Sequence, residues 1–405
     1  MHMRFLQKIS SLGNAEKFAI ITFFQNMYLY NHVGTLYLQS RGLSLLEVSS
    51  IWSIIVGTIF LAEVPTGVIA DRFGKKRSVA VALFLQFFGE FLFLFAESYL
   101  AFVLIAILAG IGYSFLSGAS EAIVYETLPE ENRAHRMKVA MGNIGGAYQL
   151  AFFAAPLLGS LVISELVLGK YLLGIGLTAG SVLIAFLLSL TLQEPPRLQS
   201  DRPPSSLAIL KHGLAQITRN RKVQWIAGVA ILTSTFSNAL VTLYQPHFVN
   251  AGVRTSLPIG LALALGGLAA FGVQKYIYAI EQRLGRWGLF ALSILPGLFY
   301  ILLAFASNLV TLLPVFVLTY ALADARNPLL SAYQNEQIES QTRATAISLI
   351  NMLVKIYIAL VGVALGWLAN TSIPAVFITI GLLVVGFTLA LRVDKIAVHL
   401  GPEVE

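Results

Sequence analysis

A chain of 405 residues that is 57% hydrophobic and only 12% charged is too apolar for a soluble domain, where about a quarter of the residues are charged. Its apolar residues gather in runs of about 20, the length that crosses a hydrocarbon core as a helix, so the class is an all-α polytopic membrane protein. The net charge of +7 fits membrane topology rather than nucleic acid, and the absence of cysteine excludes disulfides and thiolate metal sites.

In chain order, Met1–Ala15 is polar and the first apolar stretch is full-length, so no cleavable signal is expected. Twelve spans are predicted near 16–40, 45–70, 77–97, 99–124, 138–163, 171–192, 223–250, 256–281, 287–306, 309–333, 343–369 and 373–392. Residues 193–222 form the longest polar interruption and hold Pro195, Pro196, Pro203 and Pro204. They divide the chain into a six-helix bundle over 1–192, a linker, and a second bundle over 223–405. Within the linker, Leu207, Leu210, Leu214 and Ile217 recur at helical spacing, a pattern that suits a helix lying on the membrane surface.

Lys and Arg set the orientation. About 21 of the 27 fall at the termini or in loops on one side, and only Arg41, Lys170 and Arg254 on the other, so both termini are expected in the cytoplasm. The most informative loop follows span 2: Gly67-Val68-Ile69-Ala70-Asp71-Arg72-Phe73-Gly74-Lys75-Lys76-Arg77. Part of it returns in the second half. Arg72-Phe73-Gly74-Lys75 matches Arg283-Leu284-Gly285-Arg286, 211 residues later, and Arg133-Ala134 matches Arg343-Ala344, 210 residues later. A parallel repeat of six spans is one of the transporter architectures, with the substrate site at the midplane between repeats.

Twelve spans, two six-span halves and a Gly-x-x-x-Asp-Arg-x-Gly-x-Lys-Arg-like loop after span 2 resemble the major facilitator superfamily over essentially the whole chain. The resemblance implies two pseudo-symmetric bundles that rock about a central cavity. It implies a latch in which Asp71 faces the start of span 11 and Arg72 pairs with an acid at the end of span 4, Glu126 first and Glu121 in reserve. Gly67 is expected to admit a neighbouring helix, and Gly74 to make the tight turn before Lys75 and Arg77. In span 5, Ala147, Ala151, Ala155 and Gly159 form a small-residue stripe expected to pack on Gly260, Ala264 and Gly267 of span 8. Ala155-Pro156-Leu157-Leu158-Gly159 resembles a degenerate antiporter motif of drug and proton exchangers. No arginine occurs in Leu100–Ser120, where family antiporters often carry one.

Ionisable residues inside spans are costly and usually face a cavity or a partner. The candidates for proton coupling are Glu63, Glu90, Glu121, Asp324, Arg326 and Lys355, because a carboxylate shielded from water can bind a proton near neutral pH. Glu63, Gly67 and Asp71 share one helix face, and Glu63 is expected to pair with Lys355 of span 11. Glu90 is expected at mid-span, one turn from Gln86. Asp324 and Arg326, two residues apart, are expected to point about 200° from each other, one to the cavity and one to a helix contact. In the resemblance, spans 1, 4, 7 and 10 line the cavity, which makes Asn26, Tyr30, Asn31, His32, Asn238, Tyr244 and Gln245 candidates for substrate contact, with Gln149 of span 5 added.

The histidines show no metal-ligand spacing and no phosphate-binding glycine loop is present, so no cofactor or metal is expected and an ion gradient is the energy source. The expected function is secondary active transport of a small amphipathic or polar organic molecule, with proton-coupled efflux as the expected direction and a proton-coupled uptake symporter for a nutrient or metabolite as the alternative. The expected partners are the lipid bilayer and the substrate, without nucleic acid, and the protein is expected to act as a monomer in the cytoplasmic membrane.

Overall fold

A computed structural model describes residues 12–195, 221–285, 287–338 and 343–393. The proposed surface helix of the linker, with Arg286, lies outside them. The described residues form sixteen α-helices and no sheet; one isolated bridge pairs Glu165 with Thr255. They pack as two compact units. The first draws on residues 1–43, 51–199 and 254–264, and the second on 44–50, 200–253 and 265–405.

The first unit contains α1 (Asn14–Gln25), α2 (Gly34–Ser40), most of α3 (Leu45–Phe73), α4 (Lys75–Phe93), α5 (Tyr99–Thr127), α6 (Arg133–Val162) and α7 (Leu168–Ser189). The second is built from α8 (Arg221–Leu232), α9 (Ser237–Asn250), most of α10 (Ser256–Lys275), α11 (Ile277–Leu284), α12 (Trp287–Phe305), α13 (Leu309–Ala323), α14 (Asn327–Gln337), α15 (Arg343–Ala369) and α16 (Ile373–Ala390). Many large apolar side chains stay on the outside, such as Leu61, Leu104, Leu161, Val310 and Leu360, as befits helices whose outer solvent is hydrocarbon.

Ten helical segments are long and apolar enough to cross a membrane. Two of the twelve predicted spans fall short, for different reasons. Span 1 is not one helix: α1 stops at Gln25, a short 3-10 turn covers Asn31–Val33, and α2 follows. Its polar run competes with the helix for backbone partners; Asn26 Nδ2, for instance, donates to the Thr22 carbonyl at 2.8 Å. Span 3, as α4, is regular but carries Lys75, Lys76, Arg77 and Glu90 within 19 residues. Glu90 sits in its last turn rather than at mid-span, because the helix ends at Phe93.

Spans 7 and 10 are also broken. Thr233 and Ser234 turn their hydroxyls back onto the carbonyls of Val229 and Ala230, at 2.6 and 2.9 Å, which loosens the helix end. Phe236 then takes a positive φ of 51° before α9 begins. In span 10, Pro328 stands in the first turn of α14. Its ring cannot follow a preceding helical turn, so α13 ends at Ala323. Span 4, as α5, runs unbroken through 29 residues.

Close helix approaches use small residues. A Cβ on Gly159 would run into the Leu29 carbonyl, and one on Gly297 would come within 2.9 Å of the Gly381 carbonyl. The span 5 stripe therefore divides its contacts. Gly159 meets span 1, while Pro156 and Ser160 meet Gly260 of α10. A Cβ on Gly67 would meet nothing within 4 Å among the described residues, while one on Gly118 of α5 would come to 3.8 Å from the Gly67 Cα.

Candidate functional site

The loop after span 2 is tied down within its own bundle. Gly74 has φ 103°, a backbone state open to glycine. It hands the chain to α4, whose first amides, Lys75 and Lys76, donate to the Glu194 carboxylate at 2.7 and 3.1 Å. An acid at a helix N-terminus satisfies orphan donors and suits the dipole. Asn14 and Gln193 exchange side-chain and backbone hydrogen bonds beside it, at 2.8 and 2.9 Å. Glu126 of α5 is paired, but with Lys75 rather than Arg72. Lys75 opens α4, which packs along α5 and brings its ammonium to the acid, whereas Arg72, like Asp71 and Arg77, stays exposed. Glu194 escaped the sequence reading; its signal was an acid placed directly beyond a span end and followed by Pro195-Pro196.

The break in span 1 organises a polar centre in the first bundle. Its loose backbone is held by Thr178 and Ser181 of α7: Leu29 N donates to Thr178 Oγ1 at 3.0 Å, and Ser181 Oγ donates to the Phe24 carbonyl at 2.7 Å. Tyr30 Oη donates to Glu90, 2.9 Å from one carboxylate oxygen and 3.2 Å from the other. Tyr30 also stacks on Phe93. Tyr28 and Tyr113 share a hydroxyl contact of 3.2 Å. One turn below Glu90, Gln86 accepts from Gln25 at 3.0 Å. None of the ion pairs among the described residues includes Glu90. His32 is fully buried, its Nε2 lying 2.6 Å from Ser256 Oγ.

In the second bundle the two helix breaks meet. Arg326, only 2% exposed, directs one guanidinium nitrogen to the Thr233 carbonyl at 2.6 Å and the other to Thr233 Oγ1, with Ser293 Oγ at 3.4 Å. Thr235 Oγ1 donates to the Ala323 carbonyl at 2.7 Å, and Tyr300 Oη donates to the Thr235 carbonyl at 2.6 Å. The breaks thus satisfy each other's free carbonyls, as buried backbone requires. Asp324, by contrast, is exposed. It accepts from Ser237 Oγ at 2.8 Å and Asn327 Nδ2 at 3.1 Å, the first residues of α9 and α14. Both Asp324 and Arg326 border a cavity of about 430 Å³, with Asn238 and Asn351 on its wall. Asp324 turns to the cavity and Arg326 into the bundle; the break, rather than a helical 200°, separates them.

Other candidates lie elsewhere. Tyr244 is fully buried and stacked on Phe316 at 4.4 Å, and Gln245 is 2% exposed with its amide on the Val241 carbonyl. Both belong to the stretch around Pro246, where Leu243 to Phe248 are all buried. Asn26 bonds within its own turn, and Asn31 opens the 3-10 segment, partly buried. Glu63, Glu121, Gln149 and Lys355 are exposed on helix surfaces, Glu63 and Lys355 on different units.

Residues 18–319 match the sequence profile of a family described as Major Facilitator Superfamily. An uncharacterized MFS-type transporter of Bacillus subtilis (strain 168), YxaM, is 23% identical over 373 residues, spanning 87% of this chain and 90% of that protein. A second from the same organism, YhjO, is 34% identical over 104 residues, 26% of this chain and 25% of that one. Among solved structures, the nucleoside transporter NupG (D323A mutant) superposes with a TM-score of 0.77 at 16% identity, covering 94% of this chain and 99% of that one. A D-xylose-proton symporter superposes with a TM-score of 0.68 at 15% identity, covering 93% and 95%. These structural likenesses are likenesses of fold.

Proposed function

The chain belongs to the major facilitator superfamily, as a multi-pass membrane transporter and not an enzyme, and on that premise we propose that it exports a small organic molecule by alternating access, driven by proton antiport. In this reading it works as a monomer with twelve spans and both termini in the cytoplasm. Span 1 crosses as a broken helix, and α4 crosses with its basic start at the cytoplasmic surface.

The observation that carries the coupling is Glu90 with Tyr30. A half-buried carboxylate holds a phenol from the broken part of span 1, with no cation in ion-pair range among the described residues. As an anion, Glu90 accepts from Tyr30 through both oxygens. Once protonated, one oxygen becomes a donor and the two-oxygen contact with Tyr30 is reduced to a weaker bond to the remaining carbonyl oxygen. The change falls on a stretch of span 1 held by turn and 3-10 bonds, Asn31 N to the Tyr28 carbonyl at 3.1 Å and Val33 N to the Tyr30 carbonyl at 2.9 Å, rather than by an α-helical ladder. A proton on Glu90 would thereby bias the part of the bundle best able to move.

The export direction rests on the resemblance of Ala155–Gly159 to an antiporter motif. The packing of Gly159 on Leu29 and of Pro156 beside Gly260 accounts for those residues without reference to direction, so proton-coupled uptake is the second reading; a proton symporter among the similar folds favours it. The latch of Asp71 on span 11 and the pair of Glu63 with Lys355 belong to the same proposal, as contacts made in one state of the cycle and lost in the other. If Glu63→Gln leaves proton-coupled transport unchanged, that pair has no part in coupling.

The test is flux in right-side-out and inverted vesicles under an imposed pH gradient, for the wild type and Glu90→Gln. Efflux should follow the inward proton gradient in the wild type. Glu90→Gln should keep passive exchange and lose gradient-driven accumulation. Undiminished accumulation in Glu90→Gln would remove Glu90 from the coupling path, and accumulation in the uptake direction would select the second reading.

A further inference from the structure

We propose that the cavity at the helix breaks of the second bundle binds a small amphipathic organic cation, a protonated amine with an apolar body, through Asp324. The inference names the substrate class for the transporter reading above and rests on it for its biological purpose. The geometry that supports it lies within one bundle.

Two charges of opposite sign flank the cavity, and they are disposed differently. The guanidinium of Arg326 is buried and engaged with the Thr233 carbonyl, the Thr233 hydroxyl and Ser293. The carboxylate of Asp324 is exposed; its hydrogen bonds come from neutral donors, Ser237 Oγ and Asn327 Nδ2, and Arg326 acts on it through space without a hydrogen bond. None of the ion pairs among the described residues includes Asp324. The cavity therefore meets the negative charge, while the positive one serves the backbone. A carboxylate so positioned has acceptor capacity left for an ammonium.

The rest of the wall fits the same ligand. The helices α8 and α13 end at the cavity and α9 and α14 begin there; Asp324 already occupies the starts of α9 and α14 through Ser237 and Asn327, which leaves the C-terminal ends, which favour cations, for a ligand. In discontinuous spans such ends, with unwound carbonyls, are a recurrent place for cations. Opposite the breaks, Ile347, Val354 and Ile358 of α15 present apolar surface at helical spacing. Asn351, between them, adds an amide. The volume of about 430 Å³ falls in the roughly 300–1,000 Å³ range of small-molecule sites. An anionic ligand would face Asp324 with Arg326 turned away, and a wholly apolar one would desolvate the Asp324 charge with only two neutral donors to offset the cost.

The experiment compares three probes of one shape and three charges: phenethylamine, 2-phenylethanol and phenylacetate. Each is titrated calorimetrically into the full-length protein in lipid nanodiscs at neutral pH, without any gradient. The amine should bind at least about tenfold more tightly than the alcohol, the margin of one charge-assisted hydrogen bond, and phenylacetate most weakly. Asp324→Asn should erase the preference for the amine. Equal binding of amine and alcohol, tightest binding of phenylacetate, or an amine preference that survives Asp324→Asn would overturn the proposal. Should Asp324→Asn fail to fold, Ile347→Trp narrows the apolar wall and leaves the carboxylate in place. It should weaken the amine at least about tenfold, and unchanged affinity would overturn the proposal as well. Failure of the site and failure of the transport reading are separable. Gradient-driven flux of another solute without amine preference removes the site alone, and amine binding with no flux in vesicles removes proton-coupled transport alone.

Discussion

Spans 1 and 7 are repeat mates, and each is broken, yet the two bundles repair the break with different chemistry. In the first, neutral hydroxyls of Thr178 and Ser181 on α7 hold the loose backbone. In the second, a buried arginine from span 10 does so, helped by Tyr300. The mate of span 10 is span 4, which is unbroken and has no arginine in its length. The difference teaches that an intramembrane charge can serve the backbone and still shape a site: with Arg326 occupied, Asp324 is the charge left facing the cavity. In the first bundle the corresponding polar centre holds a lone carboxylate, Glu90, with a phenol.

The largest expected effect sharpens the packing side of this contrast. Gly159 lies on the Leu29 carbonyl at the span 1 break, with no room for a Cβ, whereas Gly297 has 2.9 Å to the Gly381 carbonyl. Gly159→Ala should destabilise the protein by about 3 kcal/mol or more, at the upper end of overpacking costs, and Gly297→Ala by about 1–2 kcal/mol. Thermal unfolding in detergent measures both. Equal losses would mean that the break in span 1 yields as readily as a regular helix contact.

Next comes the charge itself. Arg326→Ala should cost about 3 kcal/mol, since it frees the Thr233 carbonyl and its hydroxyl in a dry interior. Thr178→Val, its functional counterpart in the first bundle, should cost about 1 kcal/mol. Arg326→Lys should fall between, because a single ammonium cannot span the Thr233 and Ser293 positions as the planar fork does. If Arg326→Ala unfolds no more easily than Thr178→Val, the arginine is not the strut proposed.

The overall architecture was legible in the sequence because apolar run length is a direct consequence of the bilayer. Gly74 was legible too, since a Gly between a span end and a basic start needs a permissive turn. The breaks were harder. Thr233-Ser234-Thr235 and Asn26–His32 read as polar residues on continuous helices, and hydropathy averages across them. Pro328 was the plain signal in span 10. The sequence pattern placed Tyr244 and Gln245 on a cavity-lining span, but only packing decides which face of a helix is buried; Phe316 covers Tyr244. Partner choice among like charges was also beyond reach: Lys75 and Arg72 are one turn apart along the chain, and only the helix start at Lys75 separates their directions.

A smaller effect tests the loop of the first bundle, which has an acid where the second has none described. Glu194→Gln leaves size and shape but removes the charge that Lys75 and Lys76 amides engage. It should cost about 1 kcal/mol, the worth of a capping anion at a helix N-terminus. Gly74→Ala should cost more, because its Cβ would stand 2.7 Å from that carboxylate on a backbone with φ 103°. A Gly285→Ala change meets nothing within 4 Å among the described residues, so it reports chiefly the backbone strain at φ 53°. The excess of the first glycine over the second combines the Glu194 contact with the difference between the two backbone states, φ 103° ψ 149° at Gly74 and φ 53° ψ −132° at Gly285.

The smallest effect separates the two ties between a loop and the helix of the fourth or tenth span. In the first bundle the tie is ionic, Lys75 with Glu126, each side chain 19% exposed. In the second it is a phenol, Tyr333, donating to Glu281. A partly exposed ion pair is worth about 0–1 kcal/mol and is screened by salt; a phenol–carboxylate bond is worth about 1 kcal/mol and is less sensitive to salt. Lys75→Met should therefore lower the unfolding temperature at low salt and lose most of its effect near 1 M salt, while Tyr333→Phe should lower it at both. Matching salt responses would show that the two ties share one physics despite their different residues, and the asymmetry between the bundles would then lie wholly at the helix breaks.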